Sequence, residues 1–249
     1  MTRATNGPIR VLIVDDERLF AELLRVALRA ADGIDVIDMV HDVSTAVRRL
    51  AELRPDVVLA DYHLQDGTGS DIARTVRATL PDTAVLILTG DAAAATLSDV
   101  ARSGAVGHLT KDRALSEVVG AVRAAASGEI LFAPSELQRL LLERDARPRP
   151  VEPLTTRERE VLRLLASGTG TAQASKELGI STATLRAHVQ AILRKLGAHS
   201  RLEAVAEGAR LGIVTLEAWT RDRGLTHSDE PEDLPRPGGR VSHAVVHRS

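Results

Sequence analysis

The run Val11-Leu12-Ile13-Val14-Asp15-Asp16 decides the fold. Four consecutive apolar residues suit a parallel strand covered on both faces, and the two carboxylates mark where it ends. The pattern recurs. Val57-Val58-Leu59-Ala60 ends at Asp61, Val85-Leu86-Ile87-Leu88 ends at Thr89, and Val106 to Thr110 ends at Lys111. Ile34 to Val40 reads as a further strand. Helical segments lie between them: Glu17 to Ala30, Ser44 to Leu53, Asp71 to Thr79, Ala92 to Ser103 and Leu115 to Ser127. In the first helix, Leu19, Phe20, Leu23, Leu24, Ala27 and Leu28 are expected on one buried face. Pro55 and Pro81 bar continuation of the second and third, and Gly104 is the expected stop of the fourth. Five strand-then-helix units in about 120 residues predict an α/β fold with a parallel, doubly wound sheet.

Ligands of such sheets bind beyond the carboxyl ends of the strands. Asp15, Asp16, Asp61, Thr89 and Lys111 all fall there. Clustered carboxylates repel one another and resist ionisation unless a cation joins them. Hard oxygen ligands with open positions suit Mg²⁺, which keeps several waters and accepts a phosphate. Lys111 adds a fixed positive charge and Thr89 a hydroxyl, a set that stabilises a phosphoryl group. Asp61 is the candidate nucleophile, because a lone strand-end Asp points outward while the Asp15-Asp16 pair holds the metal. Any one of these residues alone reads more simply as a solvated loop charge. Five suitable residues at five strand ends argue against that reading.

At 249 residues the chain has room for two domains. The net charge of −2 hides an asymmetry. Residues 9–128 carry 18 acidic and 13 basic side chains, whereas residues 151–212 carry 6 acidic and 9 basic. An acidic first half and a mildly basic second half suit a metal site followed by a nucleic-acid surface. Cysteine is absent, which excludes disulfides, thiol catalysis and cysteine zinc sites. No apolar stretch has the length of a signal peptide or a membrane span, so a cytoplasmic protein without a membrane partner is expected.

Phe132 to Arg144 predicts one amphipathic helix. Arg147-Pro148-Arg149-Pro150-Val151-Glu152-Pro153 then predicts a stiff, extended linker. Thr155 followed by Glu158 is a capping box that opens a helix with Val161, Leu162, Leu164 and Leu165 inside. A short helix from Thr171 to Leu178, a turn at Gly179-Ile180-Ser181 and a longer helix from Thr182 to Leu196 form a helix-turn-helix pattern, with Ser181 as N-cap. Leu185, Val189, Ile192, Leu193 and Leu196 share one side of the long helix. Ala183, Arg186, Ala187, Gln190 and Arg194 share the other. Small residues allow close approach to a groove, and Arg and Gln read base edges. His188, Arg194 and Lys195 are placed for phosphates, while Thr182 and Thr184 at the helix start complete the candidate DNA contacts. An amphipathic helix with a solvated face is the plainer reading of this segment alone. From Arg221 onward the chain is polar and is expected to be disordered.

The motifs carry a family resemblance. Val11 to Asp16, VVLADYHLQDGTG (57–69), Leu86 to Gly90 and GAVGHLTKD (104–112) resemble the motifs of response-regulator receiver domains over about residues 9–128. The resemblance implies strand order 2-1-3-4-5 and an Asp61 that accepts a phosphoryl group from a sensor histidine kinase. Asp16, Asp61 and the carbonyl of His63 would bind Mg²⁺ directly, and Asp15 through water. Thr89 and Lys111 would bind phosphoryl oxygens. His108 stands where the family usually has an aromatic switch residue, and Gln65 replaces a customary proline. His63 and Asp91 occupy positions that tune loss of the phosphoryl group.

Residues 154–214 resemble the DNA-binding domain of the LuxR/NarL/FixJ family, through LTTREREVLRLLASG and ELGISTATLRAHVQAILRKLGAHSRLEAV. This implies four helices, with Thr182 to Leu196 in the major groove and Arg201 to Leu211 as a dimer contact on paired half-sites of promoter DNA. By position, Arg186, Ala187 and Gln190 become base readers and Lys195 a backbone contact. A lysine typical near Ala172 and an isoleucine typical near Ala174 are missing.

The expected organisation is therefore a receiver at 9–128, a connector at 129–153, a four-helix DNA-binding domain at 154–214 and a tail at 221–249. The expected function is a non-enzymatic transcriptional regulator, switched by phosphorylation at Asp61 and dimeric when active. One alternative keeps DNA binding but makes the first domain a phosphorylation-independent dimerisation or ligand-sensing module. Another is a haloacid-dehalogenase-like phosphatase, but that family has a second Asp two residues after its nucleophile, where this chain has His63.

Overall fold

The computed structural model describes residues 7–90, 94–133, 136–137 and 152–215. The first unit runs β1 (Ile9–Val14), α1 (Arg18–Arg29), β2 (Ile34–Val40), α2 (Val43–Leu53), β3 (Val57–Asp61), β4 (His63–Leu64) and β5 (Gly67–Thr68). It continues through α3 (Gly69–Thr79), β6 (Ala84–Thr89), α4 (Ala94–Ser103), β7 (Gly107–Thr110) and α5 (Leu115–Ser127). One five-stranded sheet has the order β2-β1-β3-β6-β7, with every pair parallel. Counted along its own five strands this is the expected 2-1-3-4-5. The antiparallel pair β4-β5 directly follows β3 and was not foreseen, since two-residue strands carry no periodicity.

Both faces of the sheet are covered, as the apolar runs require. Val11, Ile13, Val57, Leu59, Leu86 and Leu88 pack with Ala21, Leu24 and Leu28 of α1 and Val118 and Val122 of α5. On the opposite face, Leu12, Val14, Val58, Ala60, Val85 and Ile87 pack with Leu50, Ile72, Val76 and Val100 from α2, α3 and α4. The expected burial of α1 needs correction. Leu19 is 78% exposed and Leu23 50%, joined by Val26 at 62%, because Ala21, Leu24 and Leu28 face the sheet instead.

Two glycines fix close approaches. A Cβ at Gly69 would stand 2.5 Å from the carbonyl oxygen of Asp61, so α3 begins pressed against the end of β3. A Cβ at Gly107 would stand 2.5 Å from Cβ of Leu131. Leu131 forms a parallel bridge with Gly107 and donates its N–H to the carbonyl of Val106 at 2.6 Å, so the chain leaving α5 lies along the outer edge of β7.

The second unit contains α6 (Thr156–Ala166), α7 (Thr171–Glu177), α8 (Thr182–Leu196) and α9 (Arg201–Arg210). The capping box of Thr155 and Glu158 starts α6, and Ser181 caps α8 by accepting from the Thr184 N–H. Gly197, at φ 59°, ends α8 in the left-handed conformation. Val161, Leu162, Leu185, Val189, Ile192, Leu196, Leu202 and Val205 fill the space between the helices. Of the expected connector helix, Phe132 and Leu137 are seen and buried. Residues 138–151, with most of the proline linker, and the tail from 221 lie outside the described residues.

Candidate functional site

The ends of β1 and β3 bring Asp15, Asp16 and Asp61 together, with one oxygen of each within 4.8 Å of the others. Asp15 and Asp61 are buried. Lys111, one residue beyond β7, reaches in from the side. Its Nζ lies 2.8 Å from Asp61 Oδ2, 3.1 Å from Asp15 Oδ2 and 2.9 Å from Glu17 Oε1. Its own N–H bonds the carbonyl of Thr89 at 2.9 Å, so Thr89 and Lys111 are positioned as a pair. The Phe20 ring sits 4.8 Å from the ammonium and offers it a cation–π face. His63 is solvent-exposed, but its backbone N–H donates to Asp61 Oδ1 at 3.3 Å.

Electrostatics follow from this crowding. Burial, reinforced by the Asp61 charge, raises the Asp15 pKa above the ordinary carboxylate value; the Glu17 N–H and Lys111 only partly oppose it. Burial pulls the Lys111 pKa down, but bonds to Asp61, Glu17 and Asp15 outweigh it, and the net shift is upward. Lys111 is therefore a permanent cation. Glu17 was missed as a pocket residue because it was assigned to the helix start. Its place directly after the Asp pair was the available signal.

The donor set suits a hard divalent cation. Three carboxylates converge, and the buried Asp15 Oδ2 has no hydrogen-bond partner among the described residues, Lys111 lying nearby but out of alignment. An acceptor orphaned in this way is matched by a metal-bound water or a metal.

His108 lies on β7 opposite Ile87. Its Nε2 is 3.2 Å from Glu136 Oε1, and its ring centroid is 5.9 Å from that of Phe132. Position 108 thus touches the chain that follows α5 through both Glu136 and Phe132.

In α8, Ala183, Thr184, Ala187 and Gln190 are exposed, and Thr182 and His188 are half-buried. Arg186 Nε pairs with Asp82 Oδ1 of the first unit at 2.9 Å. Arg194 pairs with Glu152 at 3.0 Å. Lys195 binds Glu158 Oε2 at 2.8 Å with both side chains largely buried. The sequence placed Arg194 and Lys195 for phosphates; the structure gives each a carboxylate partner, Glu152 just ahead of α6 and Glu158 within it. Most of α9, the expected dimer contact, is buried from Leu202 to Gly208 in the single chain.

A phosphoryl-type acidic pocket on a doubly wound sheet, joined to a helix-turn-helix, is the architecture of a DNA-binding response regulator. Residues 11–123 match the response regulator receiver domain, and residues 152–207 match the bacterial regulatory proteins of the luxR family. A probable transcriptional regulatory protein NarL of Mycobacterium tuberculosis is 35% identical over 211 residues, covering 84% of this chain and 98% of that one. The uncharacterized transcriptional regulatory protein YxjL of Bacillus subtilis is 32% identical over 212 residues, covering 83% and 97%. Among solved structures, a LuxR-family two-component response regulator from Aurantimonas sp. SI85-9A1 matches with TM-score 0.50 and 27% identity, over 55% of this chain and 98% of that one. The chain belongs to the NarL/LuxR family of DNA-binding response regulators.

Proposed function

We propose that phosphorylation of Asp61 by a sensor histidine kinase controls binding of this regulator to promoter DNA. The observation that carries the reading is the contact of Lys111 Nζ with Asp61 Oδ2 at 2.8 Å inside a three-carboxylate cluster. A carboxylate oxygen beside a fixed cation has a neutralising partner in place for the negative oxygens of an incoming phosphoryl group. Its oxygen attacks the phosphorus of a phosphohistidine, the P–N bond breaks, and the electron pair leaves with the imidazole. Lys111 then transfers its contact to a phosphoryl oxygen, and the Thr89 hydroxyl donates to another. Asp15, Asp16, Asp61 and the carbonyl of His63 would hold Mg²⁺, which supplies charge neutralisation of the phosphoryl oxygens when bound.

The output is carried by α8. Thr182, Thr184, Arg186, Ala187, His188 and Gln190 form the DNA-facing set, with Arg186 and Gln190 as base readers. Because Arg186 is paired with Asp82, it must be released before it reads a base. Phosphorylation would favour that release and a homodimer on paired half-sites. Domain limits of 9–128, 129–153 and 154–214 accompany this reading, as do a non-enzymatic role and a cytoplasmic location. No helix among the described residues is long and apolar enough to cross a membrane.

Acetyl phosphate with Mg²⁺ tests it. Wild type is expected to gain an acid-stable, hydroxylamine-labile phosphate and to bind its operator more tightly. Equal labelling of Asp61→Asn would refute it.

A further inference from the structure

The two units face each other across a cleft of about 210 Å³. Three guanidinium groups line it: Arg77 from α3, Arg186 from α8 and Arg201 from the start of α9. The carboxylate lining it is Asp82, which pairs with Arg186. Arg77 has only neutral partners, the carbonyls of Arg102 at 3.2 Å and His199 at 3.0 Å. Arg201 donates Nη1 to the carbonyl of Gly128 at 2.8 Å and to Thr171 Oγ1 at 3.3 Å, again neutral oxygens. Neither forms an ion pair with any described residue.

Burial and the neighbouring Arg186 push the Arg201 pKa down to about 10, with Asp82 pulling weakly the other way. At neutral pH the group remains protonated, so this half-buried positive charge stands in the cleft with no nearby counter-charge except Asp82, which is already paired with Arg186. A partly desolvated charge so thinly compensated is a standing electrostatic cost, and an anion relieves it. Guanidinium forks match the oxygens of phosphate and sulfate through paired N–H donors. The cleft is smaller than the roughly 300–1,000 Å³ of cofactor pockets, so it suits one phosphate-sized group rather than a nucleotide.

We propose that this cleft binds a small tetrahedral oxyanion, free or as a small phosphomonoester, between Arg201 and Arg186, and that the bound anion holds the units together with Arg186 turned away from DNA. The site lies on a different part of the molecule from the acidic pocket and uses none of its residues.

The experiment uses the full chain carrying Asp61→Asn, in EDTA, so that phosphoryl chemistry plays no part. Inorganic phosphate and glycerol phosphate are titrated against chloride at constant ionic strength, with heat of binding and thermal midpoint as readouts. One saturable site is expected, weakened at least tenfold by Arg201→Gln. Tighter binding of glycerol phosphate assigns the site to phosphomonoesters, and tighter binding of inorganic phosphate assigns it to the free anion. Asp82→Asn removes the competing carboxylate and is expected to tighten phosphate binding, which keeps the test open if Arg201→Gln does not fold. No saturable response beyond chloride, no change in Arg201→Gln, or unchanged or weaker binding in Asp82→Asn would each overturn the proposal.

Discussion

His108 Nε2 and Glu136 Oε1 lie 3.2 Å apart, with both side chains nearly nine-tenths buried. Glu136 also accepts the N–H of Ala133 at 2.5 Å, so one carboxylate caps the connector's first turn and anchors it to β7. A phenyl ring at position 108 would preserve shape but remove the polar contact. His108→Phe is expected to cost about 1 kcal/mol, the usual net worth of one lost hydrogen bond. Hydrogen exchange across residues 130–137 should quicken while acetyl phosphate labelling persists. Unchanged exchange there would show the contact is not holding the connector.

The acidic cluster makes a second expectation. Two carboxylates about 4 Å apart repel by roughly 1 kcal/mol at the dielectric of water, and more in a protein interior. Asp61→Asn removes that repulsion from Asp15, whose pKa is raised partly by Asp61. In EDTA the Asp15 carboxyl of the variant should titrate closer to the ordinary carboxylate value, as followed by NMR. Added Mg²⁺ should raise the thermal midpoint of wild type well beyond any change in the variant. Equal Mg²⁺ shifts in both would remove Asp61 from the ligand set.

Asp82 and Arg186 are both substantially solvated, at 67% and 38% side-chain exposure. Such a pair contributes only about 0–1 kcal/mol. Asp82→Ala, assayed without phosphate in the buffer, should strengthen DNA binding of the unphosphorylated chain by no more than about fivefold. Arg186→Ala should instead cost about 1–3 kcal/mol of sequence discrimination, read as the ratio of operator to random-DNA affinity. A preserved ratio would reassign Arg186 from base reading to the closed contact alone.

Lys195 and Glu158 predict a pH dependence. Burial opposes ionisation of Glu158, but the Lys195 bond and the Thr155 hydrogen bonds win, and its pKa falls below the ordinary 4.5. A carboxylate depressed on folding adds stability that is fully present above its unfolded pKa. That stability is lost as pH falls through the folded value. Urea unfolding followed by circular dichroism should therefore show a wild-type advantage over Glu158→Gln near pH 7 that shrinks below about pH 4.5. A constant difference across that range would mean the pair adds packing but no charge-dependent stability.

Gly69 provides a steric test. With its Cβ position 2.5 Å from the Asp61 carbonyl, Gly69→Ala must push α3 away from β3. A loss of about 1–3 kcal/mol is expected, with slower phosphate labelling as Asp61 shifts. Wild-type stability in this variant would mean the α3 start yields freely.

The sheet and its functional edge were legible because continuous apolar strands end in chemically distinctive residues. Asp15, Asp61, Thr89 and Lys111 announce themselves at β-strand ends, whatever surrounds them. The orientation of α1 was less legible: six apolar positions spanned too wide an arc, and only packing decided that Leu24 and Leu28 turn inward while Leu19 and Leu23 do not. The partners of Arg194 and Lys195 could not be read, since Glu152 and Glu158 are more than 35 residues away in the chain. Arg77 and Arg201 escaped for the same reason. Each is an ordinary helix arginine until the two units meet.

The Leu131 bridge along β7 has one more consequence. A sheet edge bare of partners is a template for any passing strand, and β7 would be such an edge. Here the outgoing chain itself shields it, through a contact that Gly107 alone makes room for. Losing that contact would bare the edge of β7, so a bulkier residue at position 107 is expected to turn a local packing defect into strand pairing between molecules.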